Sequence, residues 1–324
     1  EEYDVHRALL FAAFHASPEA GAEAALAQVE PRSPEERKKM LQSLLLEQVR
    51  RICTGVADAT AEAESLGARE VEERVRASVG FGLSTGPSGA GTGAGLGLFL
   101  HGRALPGAVV AMYPGVVYPK TDHRYIPGYP NLGGNEYLMA RFDGCVLDAK
   151  PWGGGADVRR EQAWTGEHGR AHWTIAEVEG SVERRNPFAL AHFANHPPKG
   201  EQPNVMSVAC DFAAGSPALS ALRPFVPLIR FRNPTAVAPR PPSPPPRGRQ
   251  RTPRSADREE EAREAAAAAE HARAEAETLP LLLFLATREL EEEELFLNYR
   301  LNPALEPPQW YHPVNLDEDR RRWA

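Results

Sequence analysis

From Gly97 to about Asn233 the apolar residues come in short runs cut by Gly, Pro and Asn, as in "GLFLHGRALPGAVVAMYPGVVYP". No run there has the length and three-to-four spacing of a core helix. Short apolar segments between turn residues are strands, so this part of the chain predicts a strand-rich, loop-rich body. The run "LPLLLFLA" from Leu279 reads as one more buried strand, and it is far too short to cross a bilayer. The fold therefore has to close after whatever separates these two regions.

What separates them cannot bury a core. "PRPPSPPPRGRQRTPR" is a basic polyproline-type segment, and "ADREEEAREAAAAAEHARAEAE" predicts a partly helical stretch. Residues 236–278 thus read as a surface insertion. A ligand for a proline-binding domain is an alternative, and so is nucleic-acid contact, which the lack of aromatics among the arginines weakens. The 30 prolines and 27 glycines exceed ordinary usage and cluster locally, which marks low-complexity segments on a folded body. A net charge of −7 makes the chain as a whole a poor nonspecific nucleic-acid binder.

Residues 1–78 read as helical. Ser33-Pro34-Glu35-Glu36 is a start signal: a hydroxyl placed to cap, a proline at the first helical position and a glutamate placed to reach back. Leu41, Leu44, Leu45, Val49 and Ile52 follow at helical spacing. Ser17-Pro18-Glu19 opens an Ala-rich segment, and Val71, Val75 and Val79 mark one face of a third.

Cys53, Cys145 and Cys210 lie far apart with no Cys-x-x-Cys, so neither a disulfide framework nor a zinc cluster is suggested. A reducing compartment, nuclear or cytoplasmic, fits best. The chain opens "EEYDVHRALL" without a basic-then-apolar leader, and no membrane association is expected. His168 and His172 have the spacing of two ligands on a helical turn, but Gly169 between them and the misplaced Glu167 remove the zinc-protease pattern, so no metal is expected. No Gly-x-Ser-x-Gly elbow or cysteine-nucleophile signature occurs, so the motifs lend hydrolase chemistry no support.

The glycine run "GTGAGLGLFL", Gly91 to Leu100, needs its own account. Gly89, Gly91 and Ala94 match the relaxed dinucleotide fingerprint, but that fingerprint opens a helix, and here strands and turns follow. No Gly-Lys-Ser/Thr closes the run, which excludes a P-loop. A plain linker and a close backbone approach to another cofactor stay open.

Three stretches in order, "GLGLFLHGRALPGAVVAMYPG", "NPFALAHFANHPPKGEQPNV" and "EEELFLNYR", settle the expectation. With them the chain resembles the SET-domain methyltransferases, most closely the family of SET domain-containing protein nine. "FDGCVLDA", Phe142 to Ala149, is similar to that family's strand carrying an aspartate after an apolar pair. The resemblance covers residues 79–301 apart from the insertion, with 302–324 as a tail. It implies an α+β fold with a knotted, strand-rich domain behind the helical region.

It also implies S-adenosylmethionine as cofactor and a protein lysine as substrate, with no direct nucleic-acid binding. Gly95, Leu96 and Gly97 would offer backbone groups to the methionine part of the cofactor. Asn195 would bind its amino group and His196 would meet the adenine. Tyr299 would be the catalytic tyrosine and would also contact the cofactor, its hydroxyl near the transferred methyl; Tyr137 would line the lysine channel, and Trp310 or Tyr311 would help close it. The resemblance departs at Pro197-Pro198, which replace Ser-Cys in a lengthened loop to Pro203, and at Asn298, where Asp often precedes the tyrosine. The second expectation is a SET-like scaffold without activity, interacting through its insertion. Substrate identity, methylation degree and oligomeric state are not set by these residues.

Overall fold

The structure is a computed structural model that describes residues 2–61, 68–150, 163–165, 171–174, 186–213, 215–231 and 278–323. The Pro/Arg-rich and Ala/Glu-rich segments, and His168, lie outside the described residues. Four helices come first: α1 (Glu2–Ala16), α2 (Gly21–Val29), α3 (Pro34–Ala61) and α4 (Ala68–Val79). At the start of α3 the Ser33 amide donates to the Glu36 carboxylate at 2.8 Å and the Glu36 amide donates to Ser33 Oγ at 3.3 Å. Two orphan helix donors are thereby satisfied reciprocally. The buried face of α3 carries Leu41, Leu45, Val49, Ile52 and Val56. Ser17-Pro18-Glu19 leads into a single 3-10 turn, Pro18–Ala20, and α2 follows it.

The strands then run β1 (Phe81–Pro87), β2 (Leu96–Ala104), β3 (Val109–Met112), β4 (Gly115–Tyr118), β5 (Leu138–Ala140), β6 (Val146–Asp148), β7 (Ala163–Thr165), β8 (Ala171–Thr174) and β9 (Val205–Ala213). After the short helix α5 (Pro217–Ser220) come β10 (Leu228–Arg230), β11 (Thr278–Ala286) and β12 (Leu290–Leu295), and α6 (Leu316–Trp323) ends the described chain. Three sheets form in the orders β1-β2-β12, β3-β11-β9 and β10-β4-β6-β5, with β7 and β8 as a separate hairpin. Helix and sheet are mixed, in keeping with an α+β class.

The sheet that organises the core is β3-β11-β9. Every residue from Leu281 to Ala286 in its central strand is buried. A strand covered on both faces needs a continuous apolar run instead of alternation, and "LPLLLFLA" is one. Helix α3 guards both edges of this sheet. The Val109 amide donates to Gln48 Oε1 at 2.7 Å, and the Asp211 amide donates to Gln42 Oε1 at 3.0 Å. Open strand edges are thus closed within the chain. Helix α1 approaches closely at Gly107, whose φ is +83° and where an added Cβ would strike the Phe11 carbonyl.

One expectation fails. The acidic stretch "RELEEEE" reads as a polar turn, yet Leu290–Leu295 forms β12, paired with β2. Leu290 and Leu295 are buried and anchor its two ends. The glutamates between them find partners: Glu293 bonds Arg288 and Asn204, Glu292 bonds the Gly102 amide, and Glu294 bonds Ser88. An acidic run extends when an edge position leaves its carboxylates paired or solvated. Among the described residues no helix is long and apolar enough to cross a membrane.

Candidate active site

The glycine run covers the end of the hairpin loop between β1 and β2 and the first residues of β2. The base of the loop is closed by the Ser88 amide donating to the Gly95 carbonyl at 2.9 Å, and Gly91, Gly93 and Gly95 take positive φ. Strand follows strand here, so the run has no helix to open. The first residue of β2, Leu96, is 45% exposed, and its carbonyl accepts a hydrogen bond from Asn195 Nδ2 at 3.0 Å. That leaves Asn195 Oδ1 available as an acceptor.

Two isolated parallel bridges bring the end of β12 to the same place, Asn195 with Phe296 and Val205 with Leu297. The Leu297 amide donates to the Asn195 carbonyl at 2.8 Å. Asn204, 1% exposed, fixes this junction: its Nδ2 donates to the Glu294 carbonyl at 2.8 Å and its Oδ1 accepts from the Phe296 amide at 2.7 Å. A buried amide with all its polar edges used holds one register firmly. Tyr299 is placed as a result, and its hydroxyl donates to the Ala194 carbonyl at 3.2 Å. Burial, and then the Glu136 charge, push the Tyr299 phenol up to about 12, so it stays protonated.

His196 links these parts to the tail. Its Nε2 donates to the His312 carbonyl at 2.8 Å, and its Nδ1 accepts from the Tyr299 amide at 3.3 Å. A ring that donates on one side and accepts on the other is neutral. Burial lowers its pKa below the ordinary 6.5, against the pull of the His312 carbonyl. The Tyr311 ring lies 4.5 Å from the His196 ring, and Trp310 meets Tyr299 edge-on at 6.1 Å and 90°. Tyr311 is buried, whereas Trp310 and Trp323 stay more than half exposed. Just beyond Tyr299, Arg300 bonds Asp4 of α1 and Glu318 of α6, and Arg322 bonds Asp4 at 2.5 Å. The tail is therefore tied to the first helix.

A lowered histidine pKa makes a stability prediction. Between the ordinary value and the lower folded one, the unfolded chain binds a proton that the native chain does not, so stability rises with pH across that window. It is lost as pH falls below about 6.5. His15, also lowered by burial, acts with the same sign. A His196→Gln variant is therefore expected to lose less of its melting temperature than the parent between about pH 7 and about pH 5. Equal losses in the two proteins would remove His196 from the account.

Sequence reasoning placed Gly95, Leu96, Gly97, Asn195, His196 and Tyr299 in one site. The structure brings Leu96, Asn195, His196 and Tyr299 together through the contacts above. Gly97 differs: an added Cβ there would collide with the Glu294 carboxylate, which accepts from Ser88 Oγ at 2.6 Å and the Gly89 amide at 2.7 Å. At Gly95 an added Cβ meets nothing within 4 Å, and φ is +68°. The glycine at 97 thus makes room for Glu294, and Gly97→Val would break that clamp before it reported on any ligand.

Tyr113 and His192 were missed. The Tyr113 hydroxyl donates to the Tyr137 carbonyl at 2.8 Å, and the His192 ring stands edge-on to both Tyr113, at 6.3 Å, and Tyr137, at 6.1 Å. Burial drives the Tyr113 phenol well above its ordinary value, and Asp148, Tyr299 and Tyr137 add to the rise. A lone tyrosine ahead of Pro-Gly and a second histidine in "ALAHFANH" were the available signals. Asp148, fully buried at the end of β6, accepts from Asn135 Nδ2 at 3.0 Å. Burial pushes the thiols of Cys53 and Cys210 up to about 12, which makes them core residues and poor nucleophiles. Among the described residues no three His, Cys, Asp or Glu are grouped to hold a metal ion. No protein-family model matches this chain, and no curated protein matches it either.

Proposed function

We propose that the chain is a SET-type methyltransferase that uses S-adenosylmethionine to methylate a lysine side chain of a protein. One observation carries the reading: Leu96, Ala194 to His196, and Phe296 to Tyr299, far apart in sequence, meet through direct hydrogen bonds. The end of β12 bonded to both Asn195 and Val205 is the kind of crossing the resemblance implies.

The residues fit the cofactor. Asn195 Oδ1 would accept from an amino group, and the space beside Gly95 Cα, where an added Cβ meets nothing within 4 Å, leaves room for a ligand next to the exposed Leu96. S-adenosylmethionine, when bound, supplies a methyl group carried on a sulfonium. The chain's own task is then to align two reactants and to offer oxygen dipoles to a positively polarised methyl. Tyr299 Oη and the Ala194 carbonyl, 3.2 Å apart, are two such oxygens. An incoming lysine must be unprotonated, and the burial that raises the Tyr113 phenol would disfavour an ammonium for the same reason. Tyr113, Tyr137 and Tyr299 are the walls assigned to that lysine.

Calorimetric titration with S-adenosylmethionine and its demethylated product tests the cofactor. Saturable binding is expected, weakened about tenfold or more in Asn195→Ala, the scale of one hydrogen bond to a charged group. Absence of binding up to about a millimolar would sink the enzyme reading. It would favour a SET-like scaffold, which one observation supports: a carboxylate, Glu294, already fills the side of Gly97.

A further inference from the structure

Away from that site, the sheet β1-β2-β12 brings a serine, a histidine and a glutamate into line. Ser84 Oγ lies 2.6 Å from His101 Nε2, and His101 Nδ1 lies 3.2 Å from Glu292 Oε2. With the ring proton on Nδ1, toward the carboxylate, Nε2 is free to take the serine proton. The register explains the meeting. Gly82 pairs with His101, and Ser84, two residues on, shares the same face of the sheet. Glu292 stands opposite a β-bulge in β2: His101 and Gly102 together face it, between Glu291 opposite Arg103 and Glu293 opposite Leu100.

The residue that faces the bulge is strained. Glu292 has φ +45°, left-handed for a side chain that gains nothing from it locally. Its carboxylate is aimed back over β2, where Oε1 accepts from the Gly102 amide at 2.6 Å. The Gly102 amide first, and His101 second, hold this carboxyl below its usual range. Bulges that re-aim a side chain, and strained non-glycine residues, concentrate at functional sites.

A cavity of about 280 Å³ opens on this face, lined by Ser84, His101, Arg76, Leu83, Val75 and Phe188 among others. Ser84 is half-buried, so its hydroxyl is reachable from the cavity. The stem of Arg76, from α4, lies over Gly82, 3.8 Å from where a Cβ would stand. Its guanidinium reaches Glu292 at 3.4 Å and is the cationic group at the cavity. Val75, Leu83, Pro187 and Phe188 form an apolar side that suits a short acyl chain, Glu73 stands on the polar side, and the Arg76 guanidinium suits an oxygen that gains negative charge.

We propose that Ser84, His101 and Glu292 form a second, acyl-transfer site that cleaves small esters, independent of the methyltransferase reading. Ser84 Oγ bonds to the acyl carbon while its proton passes to His101 Nε2. The bond to the leaving alcohol breaks, and the alcohol oxygen takes that proton. Water then adds to the acyl group, giving a proton to His101. The acid leaves as the proton returns to Ser84 Oγ. Ser84 and His101 are the catalytic residues, Glu292 is a positioning residue, and Arg76 steadies the oxyanion.

The test uses the full chain with 4-nitrophenyl acetate and no S-adenosylmethionine, so its outcome leaves the methyltransferase reading untouched. The expected result is a burst of nitrophenol and one acetyl group, mapped by peptide mass spectrometry to Ser84. Ser84→Ala removes it, and His101→Ala slows acetylation about a hundredfold. Glu292→Gln, which keeps an acceptor for the Gly102 amide, slows it about tenfold and changes its pH profile. Melting temperatures of the three variants establish that they are folded. Acetylation absent from Ser84, or equally fast in His101→Ala, overturns the proposal.

Discussion

On the proposed methyltransferase reading, Tyr299→Phe is expected to keep the fold and to slow methyl transfer between about a hundredfold and about a thousandfold, the scale of one lost oxygen aimed at developing charge. The ring stays, with its edge-on contact to Trp310, and only the hydroxyl bonded to the Ala194 carbonyl is removed. A neutral hydrogen bond of that kind contributes about 1 kcal/mol to stability, so the melting temperature should change little. Because Asn195 and Leu96 are untouched, cofactor affinity should be nearly unchanged and the loss should appear in kcat. The measurement is a methylation time course at saturating cofactor, read by mass spectrometry, beside a titration of each protein. A Phe variant as fast as the parent would take Tyr299 out of the reaction.

Phe284→Ala acts on the other end of the problem. Phe284 is fully buried in the central strand of β3-β11-β9, its ring 6.3 Å from that of Tyr113. Truncation loses the transfer energy of the ring and leaves a cavity that strands on both sides cannot close, at a cost of about 3–5 kcal/mol. Against a total stability of about 5–15 kcal/mol, this is a large fraction. Urea unfolding should show a lower midpoint with an unchanged slope. A loss under about 1 kcal/mol would mean that this sheet is not the centre of the core.

How much could be read beforehand follows from the range of each contact. The cap at Ser33, the buried face of α3 and the strand at Leu279 rest on neighbours within a turn or a run, and local pattern shows them. β12 does not, because its extension depends on Leu290, Leu295 and partners on β2 that only the folded chain supplies. Leu96, Asn195, His196 and Tyr299 were named through resemblance, and the bonds that join them span distant segments. The reason given for Gly97 was different, because nothing local says that Glu294 reaches it. Ser84 stands in no motif, and His101, inside the glycine-led stretch, has no role there. They meet by strand register, and register is set by pairing across the sheet, not by the residues between.

The strand order also has a history in time. β11 lies between β3 and β9, although both are synthesised before it. Until residues 278–286 leave the ribosome, these two strands have apolar faces and no shared neighbour. β2 likewise waits for β12, and Asn195 waits for Phe296. Such late, long-range pairings fold slowly and expose apolar surface meanwhile. Every nascent chain thus passes through a period in which its first four helices are made and its central sheet is not, and a chain stopped within that period has nothing to close upon.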